Sequence, residues 1–174
     1  MKKQIFFLLT ASLLLAACSR KPKTDNLHYF QDFEFIKGWF ELASLNSSIK
    51  AHSGNYSIVV DETNEYSFGF SSKMGDISEK PLKKIKVCIW CYSPGKDCDG
   101  SLCVQIAGSG NANKLWGGKL FSDIIKTENK WTRTVFEMDI PASANQKENL
   151  VRVFLWNKGT IPVYGDDIEI TFTE

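Results

Sequence analysis

The sequence predicts an all-β, two-sheet β-sandwich, on three observations. Apolar and polar residues alternate with period two over most of residues 27–174. The alternating runs are rich in β-branched and aromatic residues and are bounded by Gly, Pro, Asn or Asp. No stretch sustains an amphipathic helix; residues 120–125 offer one short turn. Eight strands follow in order. Residues 28–35 open the series with alternating aromatics. Residues 56–60 and 66–70 are short runs set off by Gly54-Asn55 and Asp61 to Asn64. Residues 85–92 and 102–106 flank a Pro94-Gly95 turn signal. Residues 131–140, 151–156 and 163–172 complete the set. Eight strands in about 150 residues, with irregular loops and no internal repeat, point to a jelly roll.

The chain has 174 residues, which is one domain. Hydrophobic content of 43% supports a sizeable core and excludes a disordered chain. Twenty-one bases against 20 acids argue against a nucleic-acid binder or a polybasic membrane-surface protein.

The amino terminus reads as an address. Met1-Lys2-Lys3 is a positive n-region, and residues 5–15 are an apolar run too short for a membrane span. Leu15-Ala16-Ala17-Cys18 resembles a bacterial lipoprotein lipobox, which implies a signal peptide over 1–17, cleavage before Cys18 and lipidation of its thiol. Two or three acyl chains, at about 0.8 kcal/mol per buried methylene, anchor a protein stably. Residues 18–26 then form the lipidated cysteine and a polar tether, and residues 27–174 the folded domain. Removing 1–17 leaves 19 bases and 20 acids. The expected location is the bacterial cell envelope, most naturally the outer membrane, with periplasmic and surface orientations both open.

Three motifs carry a wider resemblance: Asp32-Phe33-Glu34, Ala51 to Ser57, and Pro162 to Ile170, with Trp156-Asn157-Lys158-Gly159 before the last strand. In that order they resemble jelly-roll carbohydrate-binding modules and galactose-binding-like domains, including those in lipoproteins of Bacteroides-type bacteria. The jelly-roll order implied places the second, seventh, fourth and fifth strands in one sheet and the first, eighth, third and sixth in the other. Ile85, Val87, Ile89 and Cys91 then share a core face with Leu102, Val104, Ile106, Val151, Val153 and Leu155. The opposite face collects Trp90, Tyr92, Gln105, Arg152, Phe154 and Trp156. Pyranose rings stack C–H patches on aromatic faces, and their hydroxyls need fixed polar partners. Trp90, Tyr92 and Trp156 are thus the candidate platforms, with Trp116 nearby in the segment 108–130 and Arg152, Gln105 and Asn157 as polar partners. The plainer alternative is that segment 108–130 covers these aromatics as core.

Cys88, Cys91, Cys98 and Cys103 are an even set in an exported domain, which points to disulfides. Pairing the fourth and fifth strands by their aliphatic faces sets Cys88 opposite Cys103 and leaves Cys91 for Cys98. The rival is a four-thiolate zinc site, disfavoured because i and i+3 on a strand face opposite ways. The resemblance also implies a structural calcium, with Glu34, the carbonyls of Lys50 to Ser53, and Asp166 or Asp167 as ligands. Strict alternation lets only one of the two aspartates point there. His28 and His52 have no nucleophile motif beside them, and no carboxylate spacing argues for a glycosidase. The expectation is a non-catalytic, lipid-anchored module that binds a glycan. The alternatives are an envelope protein-interaction lipoprotein or a jelly-roll hydrolase or lyase.

Overall fold

Alternation in four strands builds the core. β4 (Lys84–Tyr92) turns Ile85, Val87, Ile89 and Cys91 inward, and β9 (Val163–Thr173) adds Ile168, Ile170 and Phe172. Across from them β5 (Gly100–Ala107) contributes Leu102, Val104 and Ile106, and β8 (Leu150–Asn157) contributes Val151, Val153 and Leu155. None of these side chains is more than 4% exposed, and burying each contributes about 1.5–3 kcal/mol. The computed structural model describes residues 27–35 and 50–174. The signal peptide, Cys18 and the tether expected from the sequence lie outside the described residues.

The remaining strands are β1 (His28–Gln31), β2 (Ile58–Val60), β3 (Tyr66–Lys73), β6 (Asn113–Leu120) and β7 (Thr132–Asp139). Single-turn helices α1 (Met74–Ile77) and α2 (Phe121–Ile124) plug the sandwich edges with buried Met74, Ile77, Phe121 and Ile124. One antiparallel sheet runs β1-β9-β4-β7, with β2 also paired to β9; the other runs β3-β8-β5-β6. The two-sheet jelly-roll architecture is therefore as expected.

Sheet membership differs. β5 and β8 share a sheet, as do β1, β7 and β9, but β2 and β4 belong with the latter and β3 with the former. β4 does not form a hairpin with β5; the chain crosses between sheets through residues 93–99. The reason is that alternation specifies which side chains face inward, and two strands satisfy it equally within one sheet or across the core.

Segment 108–130 does not cover the domain as a loop. Its residues 113–120 form β6, an edge strand that pairs with β5 from Ser101↔Leu120 to Ala107↔Asn113. Gly117-Gly118 and the exposed polar Asn113 and Lys114 give it little strand propensity of its own, so partner pairing defines it. β1 ends at Gln31, because Phe33 takes a left-handed φ of 61° and the Gln31 and Asp32 side chains accept from the Phe33 and Glu34 amides. In β9, a bulge opposite Ile89 inserts Asp167, at φ 46°, between the pairs Trp90↔Asp166 and Cys88↔Glu169.

Candidate functional site

The outer face of the four-stranded sheet holds the clearest candidate site. Along β8 the residues behind the core face are Arg152, Phe154 and Trp156. Register sets Gln105 opposite both Arg152 and Trp116, and Tyr66 opposite Trp156. Tyr66, Gln105, Trp116, Arg152 and Phe154, which come from all four strands, line a groove of about 430 Å³ with Ser71 and Gly69 in its wall, and Trp156 stands beside it against Tyr66 and Trp116. Gly69 is needed there: a Cβ would lie 2.0 Å from the Val153 carbonyl oxygen, so any side chain would force β3 off β8.

The aromatics form one connected array. Tyr66 and Trp156 stack at 5.9 Å and 7° between planes. Trp116 meets Phe154 edge-on at 5.8 Å and Trp156 at 6.2 Å. Trp116 is 44% and Tyr66 55% exposed, so both present open ring surface. The Lys158 ammonium sits 4.3 Å from the Trp156 ring centroid. Trp156 Nε1–H is buried with no acceptor among the described residues. Arg152 donates to Gln105 Oε1 at 3.3 Å and to Asn111 Oδ1 at 3.0 Å, which fixes the guanidinium over the groove.

Of the residues singled out from sequence, Trp116, Trp156, Arg152 and Gln105 are brought together. Trp90 and Tyr92 are not: β4 lies in the other sheet, so both are on the opposite outer face of the sandwich. There Trp90 stacks on His52 at 3.8 Å. Tyr92 is 4% exposed, donates to Asn129 Oδ1 at 2.8 Å, accepts from the Lys50 ammonium, and packs against Trp131 and Tyr164. Asn157 also leaves the site. Alternation turns it inward, where its amide donates to the Val60 and Ile161 carbonyls and accepts from the Gly159 amide. Tyr66 is the site residue the sequence reading missed. Its strand was recognised, but assignment to the wrong sheet removed it from this face.

The three acids expected to hold calcium do something else. Asp166 Oδ2 accepts from the His52 and Ser53 amides at 2.7 and 3.2 Å, and its Oδ1 from the Asp167 amide at 2.7 Å. Asp167 Oδ2 lies 2.6 Å from His52 Nδ1, and its Oδ1 accepts from Ser53 Oγ at 2.7 Å. Because the bulge breaks alternation, both aspartates reach the same loop, where one was expected. Glu34 caps the next turn, accepting from the Asn55 and Tyr56 amides at 2.6 and 2.8 Å, which holds its carboxyl below the usual range. Burial raises the Asp166 carboxyl to about 6 against the opposing pull of those three amides. This set takes N–H and O–H donors at its carboxylate oxygens, and no group of three or more acids, histidines or cysteines that could hold a metal ion occurs among the described residues. The set clamps residues 52–56 to the strand ends.

The four cysteines among the described residues, Cys88, Cys91, Cys98 and Cys103, are buried free thiols. The expected Cys88–Cys103 bridge is ruled out by topology: Cys88 lies between Val135 and Glu169 in one sheet, Cys103 between Gly118 and Phe154 in the other, on opposite outer faces. That separation also removes the four-thiolate zinc alternative. Cys91 and Cys98 are part of the core and form no bridge here; burial pushes both thiols up, as it pushes Cys103 up to about 12.

No family model matches the chain, and no curated protein matches it by sequence. Solved structures match it by shape. The CBM22-1 xylan-binding domain of Paenibacillus barcinonensis Xyn10C superposes with a TM-score of 0.53 at 14% identity, covering 84% of this chain and 94% of that one. The CBM22-2 xylan-binding domain of the same protein gives 0.51 at 18%, over 83% and 99%. The xylan-binding module CBM15 gives 0.51 at 15%, over 86% and 98%. At these identities the likeness shows the fold, a β-sandwich jelly roll shared with carbohydrate-binding modules.

Proposed function

We propose that this chain is a non-catalytic glycan-binding module that holds a saccharide chain in the groove of its four-stranded sheet. One observation carries the reading: two exposed rings, Trp116 and Tyr66, flank a fixed Arg152–Gln105 pair in an open groove. Rings supply stacking surface for pyranose C–H patches, and the amide and guanidinium supply oriented partners for hydroxyls. The groove lining offers binding groups and not the two facing carboxylates that glycoside hydrolysis uses. Likeness in fold to xylan-binding modules supports the same direction. The test is affinity-gel electrophoresis of the folded domain against plant, host and bacterial polysaccharides. Retardation by a polysaccharide class, lost in Trp116→Ala, supports the reading; silence across the panel overturns it and moves the weight to a protein partner on the same face.

The lipobox reading supports a second part of the proposal, that Cys18 is lipidated and tethers the module to the cell envelope, on the outer membrane. Mass spectrometry of the native amino terminus tests it. A diacylglycerol-modified Cys18 is expected, and an unmodified terminus at another residue would refute it.

A further inference from the structure

We infer that the groove selects an anionic glycan, one whose sugars carry carboxylates, with Arg152 pairing to the acid. The inference rests on the glycan reading of this groove and narrows it to a substrate class. Its first support is charge segregation. The four strands of this sheet contain no Asp or Glu, whereas β7 and β9 of the other sheet carry Glu137, Asp139, Asp166, Asp167 and Glu169. In a chain of nearly balanced charge, that leaves the four strands of one sheet free of acids.

The second support is the state of Arg152. Its guanidinium has five N–H donors, and the two hydrogen bonds it makes go to neutral amide oxygens of Gln105 and Asn111. No carboxylate pairs with it among the described residues. Of the other lysines in this sheet, Lys73 pairs with Glu148 at 2.8 Å, and Lys119 points away from the groove to Thr134 Oγ1 of the facing sheet at 3.1 Å. Arg152 is held in place, keeps donors unused and keeps its charge unneutralised. Neutral hydroxyls would need only its hydrogen bonds; a carboxylate uses the charge and matches the planar fork as well. The third support is Lys158, just past the end of β8, whose ammonium sits over the Trp156 ring, so that β8 and the residue after it present cation, ring, ring, cation as Arg152, Phe154, Trp156 and Lys158. A chain laid along β8 then meets stacking surface between two positive positions.

The test compares one polymer with and without its charge. Glucuronoxylan and polygalacturonate are each offered in native form and after carbodiimide–borohydride reduction of the carboxyl groups to alcohols. Binding to a native polymer at least about tenfold tighter than to its reduced form is expected. Arg152→Gln should bring that ratio close to one, and Lys158→Gln should lower it by less. Equal binding to native and reduced polymers overturns the inference while leaving the glycan reading standing. Absence of binding to both polymers and to neutral xylan overturns both. Chondroitin sulfate and its desulfated form separate the two acid types: affinity that follows sulfate and ignores carboxylate overturns the carboxylate assignment.

Discussion

The two outer faces of this sandwich start from the same kind of sequence and end differently. Both carry tryptophan and tyrosine behind an aliphatic core face. On the five-stranded sheet these aromatics are consumed internally: His52 stacks on Trp90, and Tyr92 is sealed by Lys50, Asn129, Trp131 and Tyr164. On the four-stranded sheet Trp116 and Tyr66 keep open ring surface around a groove. The difference comes from the acids. Asp166 and Asp167 fasten residues 52 and 53 over one face, and the other face has no acids in its strands to fasten anything. Aromatic residues become a site only where nothing is clamped above them.

The largest test of that contrast is Tyr92→Ala. It should cost about 3–5 kcal/mol of stability by urea denaturation, as truncation of a buried aromatic does, and leave glycan affinity per folded molecule unchanged. Trp116→Ala should do the reverse. Affinity should fall by about 2 kcal/mol, or roughly thirtyfold, with the melting temperature nearly unmoved, because the ring is on an edge strand and open to solvent. An exchanged pattern in these two variants would mean the faces have been assigned the wrong way round.

The clamp predicts a pH dependence with a definite sign. Asp166 has its carboxyl raised to about 6 in the folded state, so the folded protein binds more protons than the unfolded one between about pH 4 and 6. Stability should therefore fall as pH rises through that window, by an amount on the order of 1–3 kcal/mol, and then level off. Asp166→Asn should lose that slope in urea midpoints taken across the window. The smallest effect expected is none at all: peptide mapping of the non-reduced protein should recover no Cys88–Cys103 link, since those thiols face away from each other across the whole sandwich.

The core was legible in the sequence almost residue for residue, because burial of Ile85, Val87, Ile89, Leu102, Val104 and Ile106 needs only alternation. Partnering was not, because the same alternation suits a hairpin and a facing pair of sheets. The wrong sheet for β4 moved Trp90 and Tyr92 to the groove and created a disulfide the fold forbids, and the wrong sheet for β3 took Tyr66 from it. Trp156, Arg152 and Gln105 survived because β5 and β8 do belong to one sheet, as alternation and the jelly-roll order imply, although they pair directly and not through β4. β6 was hidden by Gly117-Gly118, whose strand character exists only through pairing with β5. The bulge at Asp167 was hidden as well, since nothing in Gly165-Asp166-Asp167-Ile168 announces the extra residue.

The position of β9 also bears on the order in which the molecule assembles. It is the last in sequence of the nine strands among the described residues, yet β1, β2 and β4 all hydrogen-bond to it. A nascent chain that has extruded residues 28–157 already owns the complete four-stranded sheet, but the other sheet is a set of strands without a hub. Loops of more than a hundred residues must close before His28 can meet Thr171, and such long-range pairing is slow. The sandwich therefore stays open until synthesis has passed residue 173. A truncation that removes 163–173 should leave a collapsed, aggregation-prone chain and not a smaller domain.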